Sequence, residues 1–360
     1  MKDVPGPQMK RSSHAKAAAG IMVAMLLAAQ SLTAAFAAGA AGTGAAMAGN
    51  AAPDRSSEDR TALDRRAAER SLLQGRIDDS VTVLKRLVAA NPNDGQAYLL
   101  LCRGFYAEEH FDEAVAACEK SVRANARSSD AQDWLGRAYG TKADHAGPLE
   151  GFILARDVRA AFEAAVASDP GNGAAVGDLS EYYVAAPSVV GGGLEKADEL
   201  ADRSFDRLPQ QAHRIRAMVA EKRKDYGTAE REFQAAVDVA RRPDAWVDLG
   251  NYYERREQWD RAVDALKHAL AADRAKDASI VDAASILNEM HREPRLAKLA
   301  LQQYLAGNAK TDAFPAVKVH VMLGKMLADT GDTPGARIEF GKALELASNY
   351  APAKRALKEK

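Results

Sequence analysis

Small residues return along this chain at a period close to 34, and that recurrence decides what it can fold into. Ser80, Ala114, Val158, Ala197, Ala229, Ala262, Ala297 and Ala336 stand in similar surroundings, at successive spacings of 34, 44, 39, 32, 33, 35 and 39 residues. A second small column runs through Ala68, Cys102, Gly136, Ser180, Ala217, Gly250, Ser285 and Gly324. A third follows the first by seven residues at Ser121, Ala165, Ser204, Ala236, Ala269 and Ala343, and Leu87 and Tyr304 break it. Large side chains stand between the columns: Leu101, Leu135, Leu179, Leu249 and Leu323 early in each unit, and Leu84, Phe162, Phe233, Leu266 and Phe340 late.

Two antiparallel helices joined by a short turn approach closely only where both present small residues, and large neighbours then interlock around the contact. Abundant alanine and only 6% aromatic residues favour helix throughout. Each pair leaves an apolar face that the next pair covers, so the pattern predicts an all-α solenoid of stacked helix pairs. Pro92, Pro170 and Pro209 separate successive units. Trp246 and Trp259 fall in packing positions at a joint between two helices, not in a ligand site.

The stretches "AWVDLGNYYERREQWDRAVDALKHALAAD", "AYLLLCRGFYAEEHFDEAVAACEKSVRAN" and "HVMLGKMLADTGDTPGARIEFGKALELAS" resemble tetratricopeptide repeats. The likeness runs over about residues 61 to 350. It divides them into units at 61–94, 95–128, 129–172, 173–209, 210–242, 243–276, 277–316 and 317–350, with 351–360 as a polar closing helix. The seventh is the most divergent, with Pro294 in place of an aromatic and Tyr304 in place of alanine.

The resemblance implies a right-handed superhelix whose first helices line a concave groove, and a non-catalytic scaffold that binds a protein or peptide there. The implied groove residues are Arg65, Glu69, Leu99, Arg103, Tyr106, Asp133, Arg137, Glu181, Arg214, Met218, Asn251, Glu254, Arg255, Lys318 and Lys325. They mix both charge signs, which suits an extended peptide and equally a solvated face. One subtype of the family grips a chaperone's C-terminal carboxylate with lysine and asparagine. Leu99 with Arg103, and Asp133 with Arg137, depart from that pattern.

Two neighbouring units exceed the period. The third carries about ten extra residues within "TKADHAGPLEGFILARDVRAAF" and the fourth about five within "YYVAAPSVVGGGLEKADELA". Both are expected to enlarge the turn inside their unit. An alternative function follows, a solute-binding or transporter-associated component with a pocket between 141–157 and 186–193, walled by Phe152, Ile153, Val189 and Val190. The loop "APSVVGGGLEKA" also resembles one in exported bacterial proteins of the repeat family, some of them associated with solute uptake. Gly191, Gly192 and Gly193 precede a helix start but lack the spacing of a phosphate-binding loop, so they read as a tight reversal.

Chemistry has little to build on. The 49 basic and 50 acidic residues leave a net charge of -1, which gives no field for nucleic acid. None of the seven histidines has ligand spacing, so no metal and no cofactor is implied. Asp144 and His145 adjoin and form the only enzymatic candidate, without a nucleophile or oxyanion partner.

At the N-terminus, Lys10, Arg11 and Lys16 precede the charge-free run "AAAGIMVAMLLAAQSLTAAFA", which ends in Ala35-Phe36-Ala37. That is the layout of a signal peptide over 1–37, started at Met1 or Met9, and it predicts an exported, periplasmic protein with no stable membrane insertion after cleavage. An inner-membrane anchor through uncleaved residues 17–37 is the alternative. Residues 38–60 lack periodic apolar positions and are expected to be a flexible leader. The two cysteines, Cys102 and Cys118, occupy packing columns as buried thiols or, in an oxidising compartment, as a bond tying the second unit's helices together.

Overall fold

The computed structural model describes residues 55–358, in which seventeen α-helices follow one another. The expected signal segment and most of the leader lie outside those residues. Eight pairs are formed: α1 (Arg55–Leu73) with α2 (Ile77–Ala90), α3 (Gly95–Ala107) with α4 (Phe111–Ala124), α5 (Ser129–His145) with α6 (Pro148–Ser168), α7 (Gly173–Ala185) with α8 (Leu194–Ser204), α9 (Pro209–Lys222) with α10 (Tyr226–Ala240), α11 (Pro243–Arg255) with α12 (Trp259–Ala272), α13 (Ala278–Glu289) with α14 (Pro294–Ala306), and α15 (Ala316–Asp329) with α16 (Thr333–Leu346). Helix α17 (Ala351–Lys358) closes the array. Residues 55–60, expected in the leader, already belong to α1.

Side-chain caps start many of these helices by accepting their orphan amides. Asp94 accepts from the Ala97 amide, Ser128 from Ala131, Asn172 from Ala174 and Ala175, and Asp332 from Gly335. Within a pair, the small columns do what their size allows. A Cβ added at Gly136 would sit 2.4 Å from the Phe162 ring, one at Gly324 2.4 Å from Phe340, and one at Gly250 2.8 Å from Leu266. The large residue of the second helix thus fills the gap left by the missing side chain of the first.

The second pair solves the same contact covalently. Cys102 and Cys118, both fully buried, are joined in a disulfide, which replaces the simpler expectation of two free buried thiols. In the seventh unit Tyr304 breaks the alanine column for a local reason. Its hydroxyl donates to the Phe314 carbonyl at 2.6 Å and accepts from the Thr311 amide at 2.9 Å, which pins the long connection into α15. Pro294 occupies the first turn of α14, where a missing amide costs nothing.

Of the two enlarged units, the third departs from expectation and the fourth keeps its longer turn, over residues 186–193. In the third, the surplus goes into helix, giving α5 17 residues and α6 21, joined only by Ala146 and Gly147. In the fourth, residues Ser188–Val190 form one 3-10 turn and the chain reverses at once. Gly191 there has φ 93°, and a Cβ on Gly192 would lie 1.8 Å from the Ala186 carbonyl oxygen, so the glycines serve the reversal.

From the first through the sixth unit each first helix also touches the first helix of the next unit, whereas successive second helices lie further apart. The first helices therefore form the inside of the curve. The curve comes round on itself. Asp78 of α2 accepts from the Ser348 amide at 2.9 Å and its hydroxyl at 2.7 Å, and Arg355 of α17 donates to Glu109 at 2.8 Å. Gly75 sits between α1 and α2 with φ 80°, and a Cβ there would lie 2.6 Å from the Val317 amide nitrogen. The corresponding turn residues Glu109, Lys224 and Glu257 carry side chains at positive φ, so what demands glycine at 75 is the arriving last unit. One apolar core accordingly runs from Val247–Ala356 into Ala68–Ala138.

Candidate functional site

The inner face is built from ion pairs, most of which join neighbouring units. Arg65 meets Asp94 at 2.8 Å, Arg103 meets Glu69 at 3.3 Å, and Arg137 meets Asp178 at 2.5 Å. Arg214 bridges Glu181 at 2.6 Å and Asp248 at 3.1 Å, while Arg255 holds Glu221 through two bonds of 2.7 and 2.8 Å. A side chain already ordered by its neighbour loses little further entropy on meeting a ligand.

Of the expected groove residues, Glu181, Arg255, Lys318 and Lys325 are exposed, and Arg65, Glu69, Arg103, Tyr106, Arg137, Arg214, Met218, Asn251 and Glu254 are half-buried. Leu99 and Asp133 must be corrected. Leu99 is 4% exposed and belongs to the core, and Asp133 is 3% exposed beneath Arg137. The columns placed both on the inner stripe, but the stripe is narrower than the sequence suggests because adjacent first helices touch.

Burial raises the Asp133 carboxyl to about 7, the nearby Asp178 charge adding to the effect while Arg137, at 3.0 Å, opposes it. Asp178 and Asp248 are likewise raised by burial, against the pull of Arg137 and Arg214. Asp282 is lifted to about 7, again chiefly by burial. Trp134 lies among these groups, with Tyr106 edge-on at 5.4 Å and the Arg137 guanidinium 5.0 Å above its ring.

Arg103 reaches furthest. Besides Glu69, it forms a fork to both carboxylate oxygens of Asp312, 209 residues away, with its Nε at 2.9 Å. This contact and the Glu109–Arg355 pair flank a cavity of about 430 Å³ where the early units meet the late ones. Tyr106, Phe111, Thr141 and His145 wall one side, and Pro315, Lys318 and Tyr350 the other. The residues expected to wall a pocket between the two enlarged units do not share one environment. Val190 is buried, whereas Ile153 and Val189 are 53% and 63% exposed on the outside. His145 uses its Nδ1 on the Thr141 carbonyl at 2.8 Å and stacks on Phe111, so that nitrogen is not shared with Asp144.

Sequence reasoning missed Asp178, Asp248, Asp282 and Asp312. The first three stand one unit from an inner-face cation, at 41, 34 and 36 residues from Arg137, Arg214 and Lys318 respectively, a charge-complementary spacing that can be read from the sequence. Asp312 lies in a connection and carries no periodic signal.

Segments 66–131 and 216–278 match the Tetratricopeptide repeat family model. No curated protein sequence matches the chain significantly. Among solved structures it is similar to a thermophilic TPR protein of Thermus thermophilus, at 17% identity over 63% of this chain and 98% of that one, TM-score 0.42. It is also similar to MamA RS-1 in an ArsTM double mutant (19%, 51% and 96%, TM-score 0.39) and to YrrB, a TPR protein with an unusual peptide-binding site (16%, 53% and 92%, TM-score 0.33). Two segments that match the tetratricopeptide repeat model are thus set within eight helix pairs stacked in chain order.

Proposed function

We propose that the chain is a non-catalytic adaptor of the cell envelope that holds a segment of a partner protein along its inner face. Tetratricopeptide repeat proteins typically mediate protein–protein interactions, which supports the general class. The observation that carries the reading is the set of ion pairs from Arg65 to Arg255, which pre-orders an extended, mixed-charge surface on one side of the array. Met218 and Asn251 stand among those pairs and supply neutral contact positions.

Export is supported by two independent features. The N-terminal run has a basic start, an apolar stretch and an Ala-x-Ala end. The Cys102–Cys118 bond is the kind that persists in oxidising compartments. N-terminal sequencing of protein from the native host tests the point, with Ala38 expected as the first residue and an uncut Met1 or Met9 start counting against it.

For the adaptor role, a photocrosslinking residue is placed at Asn251 inside the curve and at Val239, which is 51% exposed on a second helix. A partner should be trapped from position 251 and not from 239. Equal trapping, or trapping from 239 alone, defeats the assignment.

A further inference from the structure

The seam cavity is walled by early and late units of the helix array, and its size of about 430 Å³ falls in the range of small-ligand sites, on the order of 300–1,000 Å³. Tyr106, Phe111 and Tyr350 give it flat apolar walls. Its charges are unevenly satisfied. Both Asp312 oxygens are taken by Arg103, and Glu109 is paired with Arg355 at 2.8 Å.

Lys318 is different. Its ammonium donates to the Ala313 carbonyl at 2.9 Å and lies 4.6 Å from the centre of the Phe314 ring, but it makes no ion pair among the described residues. Asp282 and Glu109 act on it only from beyond ion-pair distance. An ammonium has three N–H donors, so two remain for a ligand. Lys318 is exposed by surface area, yet the meeting units enclose it enough that burial holds its pKa below the usual lysine range. An incompletely solvated cation without a counter-ion gains most from an anion supplied by something else.

We infer that the seam cavity binds a small organic anion, a carboxylate on a flat apolar body, with the carboxylate at Lys318 and the body against Tyr106 and Phe111. Because the walls come from the second and third units on one side and the seventh and eighth on the other, the site exists only when the early and late units meet. Its occupant therefore favours the closed array over any opened form by mass action. The adaptor reading neither requires this site nor depends on it.

Three probes of one shape decide the matter: phenylacetate, neutral 2-phenylacetamide and cationic phenethylammonium, each titrated to 20 mM (roughly twenty times a millimolar Kd) against the purified protein. Phenylacetate should raise the melting temperature by about 2 °C or more, and the other two should leave it unchanged. Lys318→Met should abolish the rise, Lys318→Arg should keep it, and Lys325→Met, outside the cavity, should keep it too. Circular dichroism of each variant reports that the helices are intact. No rise with phenylacetate, an equal rise with all three, a preference for phenethylammonium, or an unchanged response in Lys318→Met each overturns the inference.

Discussion

The Cys102–Cys118 bond occupies the pair of positions at which Gly136 meets Phe162 and Gly324 meets Phe340 in other units. Cys102 stands in the small column of α3 and Cys118 in the large column of α4, so one unit replaces a ring-into-gap contact with a covalent one. Neither sulfur has surface exposed.

Removing that link should loosen one unit more than the whole. A Cys102→Ala, Cys118→Ala double variant should lose about 3 kcal/mol, the value for a closed loop near the observed separation of 16 residues. Hydrogen exchange should show the loss concentrated in α3 and α4. Installing the neighbouring solution, Cys102→Gly with Cys118→Phe, should recover part of it.

Gly324 faces two opposed effects. Alanine in a helix interior is favoured by about 1 kcal/mol over glycine, but the added Cβ must displace Phe340, an overpacking cost of about 1–3 kcal/mol. The clash at 2.4 Å decides the sign, so Gly324→Ala should destabilise. In a Phe340→Ala background the same change should stabilise, and chemical denaturation of the four proteins in the cycle checks the reversal.

Stability should fall with rising pH over one window. Asp133 in the folded chain titrates at about 7, above the ~3.9 of an unfolded aspartate. Between those values the folded chain keeps a proton that the unfolded chain has released, so stability drops as pH rises and levels off above 7. The slope from one such carboxyl is at most about 1.4 kcal/mol per pH unit. Asp133→Asn should flatten the curve and stabilise at pH 8, since Arg137 keeps Asp178 as its partner. Asp282, raised to the same region, retains its own share of the slope. Denaturation midpoints from pH 4 to 8 provide the test.

Placing the alanine of the repeating small column at position 304 should harm the protein. Tyr304→Ala removes a fully buried ring, at a cost of about 3–5 kcal/mol. Tyr304→Phe keeps the ring but leaves the Phe314 carbonyl and Thr311 amide without the hydroxyl, costing about 1–3 kcal/mol. Thermal melts of both variants should rank them in that order.

What can be read from sequence is what repeats. The glycine and phenylalanine columns encode a contact made afresh in each unit, so Gly136 and Phe162 announce the helix pair and its register. Features made once leave no such trace. Asp312 meets Arg103 only because small rotations between units accumulate over the array, and no local pattern near either residue states their sum. The third unit's surplus misleads for a different reason: its length breaks the period equally whether it forms loop or helix. Only the Gly147–Pro148 step, which stops one helix and starts the next, marks it as helix. Leu99 and Asp133 are misplaced by their columns because a column fixes the face of a helix but not how closely its neighbour covers that face.

A rod of stacked modules with two free ends can be lengthened or shortened by duplication or deletion, since every module needs only its neighbours. Here Gly75 must find Val317, and Asp78 must find Ser348, after one fixed angular sum. Excising a module would leave both termini of the ring facing water, and inserting one would carry them past each other. The number of modules is therefore itself part of what this fold specifies.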